Sequence, residues 1–211
     1  MTSGDPQAAG RVQDAAGPGG LVVVLHGGRS VSTEPTTAVQ LSVVRMIPVA
    51  RAVRRAVAAG AIVVWRPRFR LRGWNGAQAS PVGDLTEWLD AAAARLGAVP
   101  IALIGHSMGA RAACRAAGHP QVQAVAGLAP WLPPGEPVDQ LAGRRVLLVH
   151  GDHDSVTSPA QTWAFADRAR AVTQVTTETL RGGDHAMLRG ASRWHRLAAD
   201  FAREAFGLPR G

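Results

Sequence analysis

Lysine and tyrosine are absent from the 211-residue chain, and cysteine occurs once, at Cys114. One thiol excludes an internal disulfide and suits a reducing compartment. With no lysine, all 23 basic residues are arginines; 15 acidic residues leave a formal net charge of +8. The two missing residue types, beside abundant alanine, read as compositional bias before they read as function. Nucleic acid or anionic lipid would want that charge gathered on one face or in a recognised module. The arginines are instead scattered, so no nucleic-acid partner is expected. No apolar run is long enough to span a bilayer, and Met1 to Gly20 lacks the apolar centre of a secretory signal. A soluble, cytoplasmic protein without a membrane partner is expected. Internal repeats and charged linkers are missing too. Residues 1–20 are expected to be a flexible leader, and residues 21–211 a single domain whose core is served by 46% hydrophobic content.

What is present is an alternation of strand and helix signals. Leu21 to Leu25 (LVVVL), Ala61 to Trp65, Ile101 to Ile104, Val122 to Leu128, Arg145 to Val149 and Gln174 to Leu180 read as strands. Between them, Val39 to Ala59 has helical spacing with a kink or break expected at Pro48, and Pro81 to Leu96 reads as a helix with Ser80 as N-cap. Helices are also expected after Gly109, from the Ser158 cap to about Ala171, and from Ser192 to Phe206. Strands separated by helical segments need right-handed crossovers, so the fold class is α/β with a mostly parallel sheet and helices on both faces.

Pro100 to Ala113 (PIALIGHSMGARAA) joins a buried strand to a helix through Gly105-His106-Ser107-Met108-Gly109. A G-x-S-x-G sequence in that context holds a serine hydroxyl up over the end of the sheet at a sharp turn, with glycines leaving room for neighbouring backbone. The helix that follows aims its first amides at the place where an oxyanion would form. Ser107 is thus the candidate nucleophile, and it needs a base from a loop on the same sheet edge. Of seven histidines, His185 is favoured because it follows the last strand in a Gly-rich loop; His150 and His153 are alternatives. The orienting carboxylate is Asp154, in the loop after the fifth strand, with Asp152 as competitor. Backbone amides of Met108 and Gly28 are the candidate oxyanion hole. Trp74, Trp131, Met108 and Met187 are candidate apolar pocket walls, although core packing accounts for them equally well. Arg66, Arg68, Arg70 and Arg72 alternate in the loop 66–80 and would share a face if extended, to meet an acidic group or to pin the loop.

The segments LVVVLHGG, RLRGWNG, IGHSMGA, HGDHDSVTSP and GGDHAML, in that order, resemble the α/β-hydrolase superfamily over Leu21 to Phe206. In detail the chain resembles small actinobacterial hydrolases of dienelactone-hydrolase or serine-esterase type. The resemblance implies a single α/β-hydrolase domain with Ser107 as nucleophile, His185 as base and Asp154 as orienting acid, cleaving a small carboxylic ester or thioester without metal or organic cofactor. Two departures stand out. Dienelactone hydrolases carry cysteine at the elbow, where this chain has serine, and only Leu132 to Gly143 is available for a lid, so the lid is expected to be minimal or absent. Other reactions of the same triad, or a catalytically silent ligand-binding hydrolase fold, are the alternatives.

Overall fold

The computed structural model describes residues 17–209, and within them six stretches form one sheet. The strands are β1 (Gly20–Leu25), β2 (Ile62–Trp65), β3 (Ile101–His106), β4 (Val122–Leu128), β5 (Arg145–Gly151) and β6 (Gln174–Leu180). Every neighbouring pair is parallel, in the order β2-β1-β3-β4-β5-β6. The helices are α1 (Leu41–Val44), α2 (Met46–Ala56), α3 (Ser80–Leu96), α4 (Met108–Arg115), α5 (Pro159–Ala169) and α6 (Ala191–Ala205).

Alternate residues of each inner strand feed two cores, which is why β1 is apolar at every position from Leu21 to Leu25. Leu21, Val23, Leu25, Ile101 and Leu103 pack with Leu85 and Leu89 of α3, Ala112 and Ala113 of α4 and Phe165 of α5. On the other face Val22, Val24, Ala102 and Ile104 pack with Val49 and Val53 of α2 and Trp194, Ala198 and Phe201 of α6. Each such fully buried large side chain contributes about 1.5–3 kcal/mol through removal of apolar surface from water. The single-domain α/β class read from the sequence is the class observed.

Local details differ. The break in the segment 39–59 falls at Arg45, between α1 and α2, rather than at Pro48. Pro48 stands in the first turn of α2, where its lack of an amide hydrogen costs no helical bond. Ser80 does not cap α3: Ala79 precedes the helix in the left-handed region (φ 45°), and Ser80 Oγ accepts a bond from Asn75 Nδ2 at 3.2 Å. Ser158 does cap α5, its Oγ accepting from the Gln161 amide. Of the expected leader, residues 1–16 lie outside the described residues, and Gly20 is already part of β1. Among the described residues no helix is long and apolar enough to cross a membrane. The segment from Leu128 to Arg145 holds one 3₁₀ turn, Asp139–Leu141, and no helical lid.

Strand order reverses about β1, with β2 on one side and β3 on the other. Loops leaving β1 and β3 therefore diverge at their carboxyl ends, which opens a crevice there in sheets of this type.

Candidate active site

Ser107 sits at that crevice, between β3 and α4, with φ 54° and ψ −118°. A non-glycine residue rarely adopts this backbone, and the surroundings enforce it. A Cβ at Gly105 would overlap the Ala110 amide and the Gly109 carbonyl; one at Gly109 would overlap the His26 carbonyl. Both positions need glycine because backbone lies where a side chain would go. Ser107 is 7% exposed, and its amide donates to the Leu128 carbonyl (3.1 Å).

Loops after β5 and β6 are tied to one another. The His153 amide donates to the Gly183 carbonyl (3.0 Å), and the Gly182 amide donates to Asp152 Oδ1 (2.6 Å). Asp152 therefore serves as a loop tie, and the two candidate acids are told apart by what they hold. Asp154, its side chain fully buried, receives His185 Nδ1–H on Oδ2 at 2.8 Å. That same oxygen accepts from Thr157 Oγ1 at 2.9 Å and from His150 Nε2 at 3.1 Å, while Oδ1 accepts the Val156 and Thr157 amides at 2.8 and 2.9 Å. Burial alone would push this carboxyl up, but the bonds from His150, His185 and the two amides outweigh it and hold the pKa far below the carboxylate range. The fold thus favours the Asp154 carboxylate anion. With Nδ1–H committed to Asp154, the free Nε2 of His185 is a proton acceptor.

His106 supports the His185 backbone. Burial pushes its pKa down to about 3, so the ring is neutral, and its Nε2–H donates to the His185 carbonyl at 2.8 Å. The two imidazoles lie 4.9 Å apart, tilted by 47°. His26 does similar work at the end of β1. Burial takes its pKa to about 4; Nδ1–H donates to the Gly27 carbonyl (2.7 Å), and Nε2 accepts the Phe69 amide (3.1 Å). The neighbouring loop completes the clamp, because the Arg29 amide donates to Arg72 O (2.8 Å) and the Trp74 amide to Arg29 O (2.9 Å). Gly28 is fixed between them, and a Cβ there would overlap Arg72 O and the Met108 thioether. Within the described residues the amides of Gly28 and Met108 have no hydrogen-bond partner.

Trp131 is half-buried beside the elbow, and its amide donates to Ser107 O at 3.3 Å. Trp74 and Met187 are each only 3% exposed, Met187 within the core formed with α6. The arginine loop mostly pins itself. Arg70 pairs with Asp84 and Glu87, Arg72 with Glu34 and Pro35 O, and Arg66 reaches Val43 O. Among the described residues no cluster of histidine, cysteine and carboxylate side chains suits a metal ion. Cys114 is buried, its thiol pushed up to about 12 by that burial.

Sequence comparison matches residues 75–201 to the family described as "Alpha/beta hydrolase domain". The chain belongs to the alpha/beta hydrolase family. Among curated proteins none matches it. Solved structures of similar fold include Est1E from Butyrivibrio proteoclasticus, at TM-score 0.70 and 15% identity over 91% of this chain and 90% of that one. An alpha-beta serine hydrolase homologue from Coxiella burnetii aligns at 0.65 and 19% identity over 88% and 86% of the two chains. The esterase domain of a Rhodothermus marinus protein aligns at 0.65 and 18% identity over 91% and 88%. At these identities the likeness is one of fold.

The sequence pattern does not assign three residues of this region their observed contacts. His150, an alternative base on sequence grounds, donates to Asp154 instead; its spacing of four from that residue is the available signal. Thr157, close to both Asp154 and His185 Nδ1 (3.1 Å), carried no signal beyond its place in the loop. Arg111, one turn after Ser107, has no sequence signal beyond its place in the helix that follows the elbow.

Proposed function

We propose that the chain is a serine hydrolase of small carboxylic esters or thioesters. The observation that carries this reading is the Asp154–His185 bond of 2.8 Å, in loops on the sheet edge where Ser107 stands in a strained turn. In this mechanism His185 Nε2 takes the Ser107 proton as Oγ attacks the substrate carbonyl, and Asp154 stabilises the imidazolium. The free amides of Gly28 and Met108 receive the oxyanion. Collapse expels the alcohol or thiol, which leaves with the proton from His185. Water then gives its proton to the same nitrogen, attacks the acyl carbon, and releases the acid as Oγ regains its hydrogen. Within the described residues Ser107 Oγ has no hydrogen bond to His185; such bonds commonly tighten when substrate is bound.

A fluorophosphonate probe is expected to label the protein once, with the adduct mapped by mass spectrometry to the peptide holding Ser107, alongside turnover of short p-nitrophenyl esters. Neither labelling nor turnover would leave a ligand-binding fold without catalysis as the better account.

Gly28→Ala gives a second check. The added methyl meets backbone at Arg72 O and side chain at Met108, so the loop must shift and carry its amide away from the oxyanion. Loss of one oxyanion donor predicts a fall in kcat of about 10²–10³ with KM little changed. Steady-state kinetics on one ester separate the two parameters, and a rise in KM alone would place Gly28 outside the oxyanion site.

A further inference from the structure

Arg111 lies one helical turn from Ser107, its amide donating to Ser107 O at 3.2 Å. Its side chain is only 11% exposed and its guanidinium occupies an aromatic corner. The Cζ atom is 3.9 Å from the ring centre of Trp74 and 4.5 Å from that of Trp131, and those rings meet at 81°. Nε donates to both carboxylate oxygens of Glu136, at 2.8 and 3.1 Å. Glu136, its side chain 1% exposed, is shared with Arg115, so two guanidiniums face one carboxylate and a positive charge is left over within the cluster. Its pKa is drawn below the usual range because bonds from Arg115 and Arg111 overcome the upward push of burial, which keeps it an anion.

Nε alone is used on Arg111. Among the described residues Nη1 and Nη2 have no hydrogen-bond partner, and neither is sealed from solvent. A strut needs only the Nε contact to Glu136; it does not account for a nearly buried fork with its outer donors unpaired. The open edge of a guanidinium matches a carboxylate in two parallel hydrogen bonds. The backbone of both aromatic residues is anchored at the site: the Trp131 amide donates to Ser107 O, and the Trp74 amide donates to Arg29 O beside the Gly28 loop.

We infer that the acyl part of the substrate carries a carboxylate, received by the Nη1/Nη2 edge of Arg111 in the corner of Trp74 and Trp131. This rests on the reading of Ser107 as an ester-cleaving nucleophile, and it narrows the substrate to half-esters or half-thioesters of dicarboxylic acids.

The test compares mono-p-nitrophenyl glutarate with p-nitrophenyl valerate, which have five-carbon acyl groups and the same leaving group. Wild type is expected to favour the anionic ester by about ten- to a hundredfold in kcat/KM, the range for a paired charged hydrogen bond. In Arg111→Gln the ratio should fall to about one, and Arg111→Lys, with charge but no fork, should lie between. Equal turnover of both esters by wild type, or a preference that survives in Arg111→Gln, overturns the inference while leaving the hydrolase standing. If neither ester is cleaved the hydrolase reading falls, and binding decides instead. Glutarate should then quench tryptophan fluorescence saturably in wild type, with glutaramide inert and the response lost in Arg111→Gln. Absence of glutarate binding, or equal binding by the variant, counts against the site. Should Arg111→Gln fail to fold, Arg111→Lys carries both comparisons.

Discussion

Ser107→Ala is expected to lower kcat for p-nitrophenyl esters by about 10⁵–10⁶ while leaving the fold intact. The expected loss is large because the Thr157 hydroxyl beside His185 lies at Nδ1 rather than at Nε2 and does not replace Oγ: the free amides of Gly28 and Met108 would still bind an oxyanion, but water would have to attack without a covalent intermediate. Residual catalysis of about 10³ over water is what such amides and simple binding sustain. Stability should barely move. Ser107 Oγ makes no hydrogen bond among the described residues, so its deletion strands no partner, and alanine must bear the same φ of 54°. A change within about 0.5 kcal/mol corresponds to roughly 1–2 °C in Tm for a chain of this length. A melt followed by circular dichroism, beside the kinetics, separates lost chemistry from lost structure. Turnover that persists in a folded Ser107→Ala protein would place the nucleophile elsewhere.

Strands and the elbow were legible because their signals are local. Five valines and leucines bounded by glycines at β1, and G-x-S-x-G between β3 and α4, specify backbone conformation within a few residues. Strand order was legible only as a class, since parallel pairing follows from crossovers but not which strand lies next to which. Helix ends were partly misread: Arg45, not Pro48, marks the break before α2, because a proline in a first turn is tolerated and a sequence pattern does not say which turn is first. Long-range polar partners were not legible at all. The Glu136 carboxylate meets Arg111 and Arg115 across 25 and 21 residues, and His106 meets the His185 carbonyl across 79. Nothing in local composition selects such pairs; they exist because strand order brings the carboxyl ends of β3, β4, β5 and β6 side by side. Topology, moreover, leaves one edge for every catalytic candidate, so choosing Ser107, His185 and Asp154 by their positions after strands needed only the alternation of elements.

Asp154→Asn is the harsher test of the acid, since it changes charge and proton placement while keeping shape. In the parent, Oδ2 receives three donors, from His185, His150 and Thr157, and Oδ1 receives two amides. An asparagine can keep its oxygen toward the two amides only by turning its NH₂ toward the donors. His185 Nδ1 then becomes an acceptor, its proton moves to Nε2, and the atom that should take the Ser107 proton is already occupied. The expected fall in kcat is about 10⁴, the scale for a histidine held in the wrong tautomer. His150 undergoes the same reversal, its Nδ1–H then donating to Thr162 Oγ1 2.8 Å away, and loss of its charge-assisted bond to the Asp154 anion adds a stability cost of about 1.5–3 kcal/mol. The acid limb of stability should change as well. Because folding lowers the Asp154 pKa from 3.8, the anion stabilises the native state above that value, and the contribution fades as pH falls below it. Chemical denaturation of parent and Asp154→Asn between pH 7 and pH 3 is therefore expected to show the gap between them narrowing below about pH 4. A gap that widened on acidification would mean that Asp154 is not held as an anion by the fold, and the tautomer argument would fall with it.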